Sequence, residues 1–300
     1  IFGKKNRTKN VKIKIPVSVF NFLSYLVKFV DVFFNQRIKY LLLSFILFSC
    51  NSYQKMLNSK ETAPKLKAAQ NYYDNGEYRR ANRLYEQIIP SYRGKPQAQR
   101  LIYFFANSHY QLGNYYLAAY QFESFVKSFP RSEKLDEANF MIAKCYYMLS
   151  PIYSLDQENT NEAMEKLQIF IDNYPKSDYL SEANNYIKEL QVKIEEKDFE
   201  ISKQYYTIRD YKAAISSLDN FISNFPGTPF RENALYYKFL SQYEIATNSV
   251  PNKKLERLEG AIETHNAILR YYPETLFMDD ISEKLDEIEK QIKIINKTNT

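Results

Sequence analysis

Few residues in this 300-residue chain are equipped for covalent chemistry. Its two histidines, His109 and His265, have no cysteine or carboxylate at a metal-ligand spacing, and its six glycines form no phosphate loop or nucleophile elbow. Of the two cysteines, Cys145 lies in the apolar stretch FMIAKCYYML, the setting of a buried, inert thiol. Cys50 is different. It follows the basic lead-in Arg37-Ile38-Lys39-Tyr40, the uncharged run Leu41 to Phe48 and the small residue Ser49. Eight residues span roughly 12 Å as a helix, too short for a hydrocarbon core of about 30 Å. Basic region, short apolar region and small residue before a cut are instead the layout of a secretory signal. The chain is therefore expected to be no enzyme, with no metal and no cofactor.

Leu47-Phe48-Ser49-Cys50 resembles the bacterial lipobox, with Phe48 bulkier than the residue usual at its place. The resemblance implies that Cys50 is acylated and becomes the mature N-terminus. No Met precedes Met56, and Pro16–Phe34 holds Lys28 and Asp31, which makes it a poor membrane span. Residues 1–36 read as upstream translation or a signal extension, expected to be absent from the mature protein, with a second membrane anchor as the alternative. The expected division is 1–49 as upstream segment and signal peptide, 50–64 as lipidated linker and 65–300 as one folded domain.

The formal charge of +6 has the same source. Residues 1–50 carry 9 Lys/Arg and 1 acid, and residues 51–300 carry 32 bases and 34 acids. A near-neutral mature chain lacks the basic track that nucleic-acid binding needs. Forty-five per cent hydrophobic residues allow a sizeable core, while few glycines and many aromatics disfavour a turn-dense β sandwich.

The elements behind these residues repeat. Ile89-Pro90, Phe129-Pro130, Tyr174-Pro175, Phe225-Pro226 and Tyr272-Pro273 recur at intervals of 40, 45, 51 and 47 residues. An amphipathic run of helical period precedes each proline, which then stops the helix. Ser132, Ser177 and Thr228 follow as expected N-caps. The unit is helix, turn, helix, proline. Aligned on Ala81, Ala118, Ala163, Ala214 and Ala261, five units resemble the tetratricopeptide repeat. Ala69, Ala106, Ala143 and Ser202 match in the first helices, with Leu240 the exception. The third and fifth units carry extra residues at Leu149–Asn159 and Asn248–Leu258. The fold class is all-α, a tetratricopeptide-repeat superhelix closed by the acidic amphipathic helix Leu276–Lys293.

In that family certain first-helix positions face the concave side. Carried over, one position reads Leu66, Tyr103, Phe140, Phe199 and Tyr237, another Tyr73, Tyr110, Tyr147, Tyr206 and Glu244. Gln70, Asn107, Lys144 and Lys203 lie between them. The candidate peptide groove is Tyr73, Arg100, Tyr103, Asn107, Tyr110, Phe140, Lys144 and Tyr147. Tyrosine suits extended peptides, offering large contact area and few rotors. Tyr72, Tyr146 and Tyr205, one position earlier, are expected to pack between helices. Arg79, Arg80, Arg83, Arg93, Lys95 and Arg100 cluster around the first repeat. Two readings of this cluster stand side by side, capture of a peptide carboxylate with Arg100 best placed, or attraction of the lipid-proximal end to anionic headgroups.

A lipobox followed by five such repeats, with phrases such as FPRSEKLDEANFMIAKCYY and YPKSDYLSEANNYI, resembles a BamD-type lipoprotein. The resemblance covers residues 47 to about 290. It implies an outer-membrane lipid anchor facing the periplasm. It also implies docking on a BamA-like barrel protein and other assembly subunits, with unfolded outer-membrane barrel precursors as clients and no nucleic acid. Two rivals are a coordinator of the Tol-Pal type, which usually has an N-terminal coiled coil, and a nutrient-binding lipoprotein, usually rich in the tryptophan this chain lacks.

Overall fold

A computed structural model describes residues 52–298, which are helix and turn throughout. Cys50 and the expected signal segment lie outside the described residues. A short helix α1 (52–58) leads into α2 (Thr62–Asp74), α3 (Tyr78–Tyr92), α4 (Gln97–Gln111), α5 (Tyr115–Ser128), α6 (Leu135–Leu149) and α7 (Glu158–Asn173). The chain continues through α8 (Leu180–Thr207), α9 (Tyr211–Asn224), α10 (Arg231–Thr247), α11 (Pro251–Tyr271) and α12 (Met278–Thr298). Each helix packs on the next, so that five hairpins stack in chain order and α12 closes the last against α10 and α11.

Small residues set the closeness of the hairpins. Ala69, Ala81, Ala106, Ala118, Ala143, Ala163, Ala214 and Ala261 are all essentially inaccessible, as a side chain must be where two helix backbones approach. Tyr85, Phe122, Leu167 and Leu218 fill the adjoining space. Cys145 is fully buried in the same core as Phe122 and Leu167, and burial pushes its thiol up to about 12. The tetratricopeptide-type fold thus follows from alanine spacing together with the turns.

Three of those turns are the same structure. Gly76, Gly113 and Arg209 take φ of 76°, 76° and 66°. In each, that residue's N–H and the next bond back into the preceding helix, to Tyr73 and Tyr72, to Tyr110 and His109, and to Tyr206 and Tyr205. This is a left-handed helix terminus of the Schellman kind, for which glycine is the natural occupant in the first two.

The proline turns correct two expectations. Pro90 does not stop its helix but sits inside the last turn of α3, which runs on to Tyr92. Ser132, Ser177 and Thr228 are not N-caps. Each hydroxyl accepts the backbone N–H two residues on, from Lys134, Tyr179 and Phe230, which closes a local turn ahead of the helix. The helices themselves begin after Lys134, Tyr179 and Phe230 with no side-chain cap.

The extra residues also part ways. In the third hairpin, Ser150–Gln157 form an irregular connection pinned by the Gln157 amide, which donates to the carbonyls of Ile152, Tyr153 and Leu155. In the fifth they are mostly helix, because Pro251 starts α11 two turns early. The largest departure is α8, 28 residues long. Ala183 occupies the place of Ala138 in α6, and Ser202 that of Ala143, but Ser202 follows Ala183 by nineteen residues whereas Ala143 follows Ala138 by five. The fourteen added residues are close to four helical turns, so the second half keeps nearly the helical phase of an ordinary first helix, displaced by about 21 Å. Leu190 closes the core of the N-terminal hairpins, and Phe199 opens the next with Ala214, Leu218 and Phe221. One helix is the spine of two cores.

Candidate binding groove

The first helices α2, α4 and α6 line up so that Tyr73, Arg100, Tyr103 and Asn107 surround one hollow of about 560 Å³, together with Phe104, Lys134 and Glu137. A second hollow of about 520 Å³ adjoins it on the α2 side, with Arg100 and Phe104 common to both and Leu66, Lys67, Gln70, Tyr85 and Tyr92 around the rest. Four of the eight expected groove residues are therefore brought together.

Aromatic edges build the wall. Tyr73 packs edge-on against Phe104 at 4.7 Å and Tyr78 at 5.3 Å. Burial, with the neighbouring Tyr78 and Asp74, pushes the Tyr73 phenol up to about 12, so it stays neutral and able to donate. Tyr103 is only 7% exposed, and its hydroxyl donates to Glu137 Oε1 at 2.5 Å. The other oxygen of Glu137 meets Lys134 Nζ at 2.6 Å. That carboxylate is thus satisfied and adds little free negative charge to the hollow.

Arg100 is a cation without an ion pair on the lining of both hollows. It is exposed, lies 5.4 Å from the centre of the Phe104 ring, and has no carboxylate within ion-pair distance among the described residues. Tyr85 supplies a second unused group. Its ring is fully buried, and its hydroxyl has no hydrogen-bond partner at the lining of the second hollow. Unpaired guanidinium, unpaired hydroxyl, amides and aromatic edges are a set that can hold an extended chain and an anionic group.

The remaining expected residues have other duties. Tyr110 packs edge-on against Tyr115 at 5.5 Å. Lys144 bonds Glu182 Oε1 at 2.8 Å, and Tyr147 stacks on Tyr186 at 3.9 Å while donating to Glu189. Glu182, Tyr186 and Glu189 belong to the N-terminal half of α8, which therefore closes this stretch of wall. Phe140 is 1% exposed, stacked on Tyr179 at 4.7 Å and against Phe170, and offers no surface to a ligand. Tyr205, expected between helices, is instead 37% exposed beside Tyr153, Ile201 and Ile208. Sequence reasoning passed over Phe104, Lys134 and Glu137. Their signal was available, since Glu137 stands one helical turn before Phe140.

Among the described residues there is no group of His, Cys, Asp or Glu able to hold a metal, and no helix long and apolar enough to cross a membrane. The YfiO family model, described as outer membrane lipoprotein, matches residues 60–216 and 192–293. The outer membrane protein assembly factor BamD of Buchnera aphidicola is 25% identical over 150 residues, 46% of this chain and 60% of that protein. The factor of the same name from Helicobacter pylori is 24% identical over 113 residues, 38% of this chain and 50% of that protein. The chain thus spans half to three-fifths of the length of these curated relatives. The solved TPR2AB-domain:pHSP90 complex of yeast Sti1 is similar at 15% identity, covering 76% of this chain and 98% of that one, with a TM-score of 0.38. With helix pairs, small-residue register and a family match over most of its length in agreement, the chain belongs to the YfiO family of outer membrane lipoproteins.

Proposed function

We propose that this protein is a non-enzymatic periplasmic scaffold in the assembly of outer-membrane β-barrel proteins, held to the outer membrane by lipid on Cys50. Its C-terminal repeats dock on a BamA-like barrel protein within a larger assembly complex, and its N-terminal repeats receive unfolded barrel precursors. The observation that carries this reading is the pair of adjoining hollows between α2, α4 and α6, aromatic-walled and joined by the unpaired Arg100. Such a groove suits an extended segment better than a folded surface, because successive side chains can enter successive hollows. The names of the BamD relatives, outer membrane protein assembly factors, point to the same clients. Binding energy would come from aromatic contact and the charges of Arg100 and Lys67, with no chemical step.

The test is recovery of the tagged protein from membranes in mild detergent. A large barrel protein is expected to come with it. Recovery with no such partner overturns the assembly role. Intact mass of the same sample decides whether Cys50 is the lipid-bearing N-terminal residue.

A further inference from the structure

The basic cluster of the first repeat is two surfaces. Arg100 turns into the groove, while Arg79 and Arg83 stand one helical turn apart on the outward face of α3, opposite its buried Ala81, Asn82, Leu84, Tyr85 and Ile88. Both are exposed, as is Lys55 on α1, and none of the three makes an ion pair among the described residues. Arg80, between them, is already paired with Glu77. Glu86 is an exposed carboxylate further along the same face.

The position of α1 gives these cations a neighbour. Tyr53 packs edge-on against Tyr72 at 5.4 Å, lies under the Arg80 guanidinium at 5.3 Å and donates to the Arg80 carbonyl at 3.4 Å. At the other end of α1, Lys65 Nζ bonds the Leu57 carbonyl at 2.9 Å and Gln87 Oε1 at 2.7 Å. The start of the folded body is thus fixed against α3, and Tyr53 lies within electrostatic reach of Arg83 and Arg80. Cys50 is three residues earlier, at most about 11 Å of extended chain. An acyl group there would hold this end of the folded body close to the bilayer it enters.

We propose that the outward face of α3, with Arg79 and Arg83, together with the exposed Lys55 of α1, docks on the anionic phospholipid headgroups of the bilayer that holds the chain. The proposal rests on Cys50 as the anchored residue. Charge along the chain agrees with it. Residues 51–100 hold 10 bases and 4 acids, residues 101–300 hold 22 and 30, so an anionic surface attracts one end and repels the other. Lipid and cationic face together make the two signals that stable, oriented anchoring takes, and the face fixes which way the groove points.

The test uses the chain from residue 51 onward, since the described cores close among residues 53–295. Partition is measured into vesicles of phosphatidylcholine alone and of phosphatidylcholine with phosphatidylglycerol. Binding is expected only to the second, weakening with salt. Arg79→Gln with Arg83→Gln should lower it about thirtyfold at unchanged helicity by circular dichroism. Lys253→Gln with Lys254→Gln, an equal loss of charge at the far end, should change it less than twofold. Equal partition of the α3 variant and the parent overturns the proposal, as does an equal loss from the distal variant. An α3 variant that keeps vesicle binding but no longer recovers a barrel partner assigns the arginines to a protein instead. Because this form carries no lipid, its failure is distinct from failure of the Cys50 reading, which intact mass decides.

Discussion

The Tyr103 hydroxyl on α4 donates to the Glu137 carboxylate on α6 at 2.5 Å, a tie between two successive first helices at the wall of the groove. The pattern recurs. Tyr147 on α6 donates to Glu189 on α8, and Tyr236 and Tyr243 on α10 donate to Asp280 and Glu287 on α12. In each case a phenol from one first helix meets an acid from the next helix that takes the corresponding place. The stack is joined by polar bonds along this side as well as by the alanine-spaced core. Tyr103→Phe keeps the ring, its edge contacts with Phe122 and Phe125 and the Lys134–Glu137 pair. It removes one charge-assisted bond, and stability should fall by about 1 to 2 kcal/mol. Chemical denaturation reads this directly, and unchanged stability would show the bond to be surplus.

Arg100 is the test of the groove itself. With no carboxylate within ion-pair distance among the described residues and an aromatic face under it, the guanidinium can meet an anionic end of a bound peptide. Arg100→Glu should weaken a peptide with a free C-terminal carboxylate tenfold or more. The amidated form of that peptide should bind parent and variant nearly alike. Titration calorimetry on both peptides separates loss of the carboxylate contact from general loss of the groove.

How much of this was legible beforehand depends on what kind of signal each feature leaves. Prolines and alanines at a fixed period leave a strong one, and five hairpins were readable from Ala81 to Ala261. The continuity of α8 left almost none. Fourteen added residues preserve the helical phase and contain no glycine or proline, so only the 51-residue proline interval betrayed them. That omission explains the errors in the groove. Without the added turns, nothing in the sequence places Tyr186 over Tyr147 or Glu182 on Lys144. Phe140 erred for a related reason, because a helix face can be read from periodicity whereas the reach of Tyr179 from the next turn cannot. The cap assignments failed on register, since a hydroxyl residue three positions before a helix and one position before it look alike in a sequence.

The Lys144–Glu182 pair carries a pH signature. Burial pushes the Glu182 carboxyl up, but the bonds from Lys144 and Tyr186, with the Lys144 charge, together hold it below its ordinary 4.5. A carboxyl depressed in the folded state stabilises above its unfolded value, and that contribution is lost as pH falls through the lower folded one. Glu182 is 42% exposed, so solvent screening keeps the gain below about 1 kcal/mol. Glu182→Gln should therefore be slightly less stable than the parent at pH 7. The difference should shrink below pH 4.5 and vanish once the parent is protonated, which melting curves across pH 3 to 7 would follow. A constant difference would mean packing rather than charge.

Arg209 tests whether the three shared turns were built for glycine. Its φ of 66° repeats the 76° of Gly76 and Gly113, and its N–H bonds Tyr206 just as theirs bond Tyr73 and Tyr110. A side chain in this conformation costs about 1 to 2 kcal/mol, against about 0.5 to 1 kcal/mol of extra chain entropy for glycine. Arg209→Gly should then stabilise the protein by about 0.5 to 1 kcal/mol, a rise of roughly 1 to 4 °C in Tm at this size. Gly113→Ala, into open space but the same left-handed backbone, should lower it by a comparable amount. The paired experiment matters because Arg209 has no ion pair to lose among the described residues. A gain at one turn and a loss at the other would identify backbone conformation as the cause, and a loss at both would show that the arginine contributes something the turn geometry does not reveal.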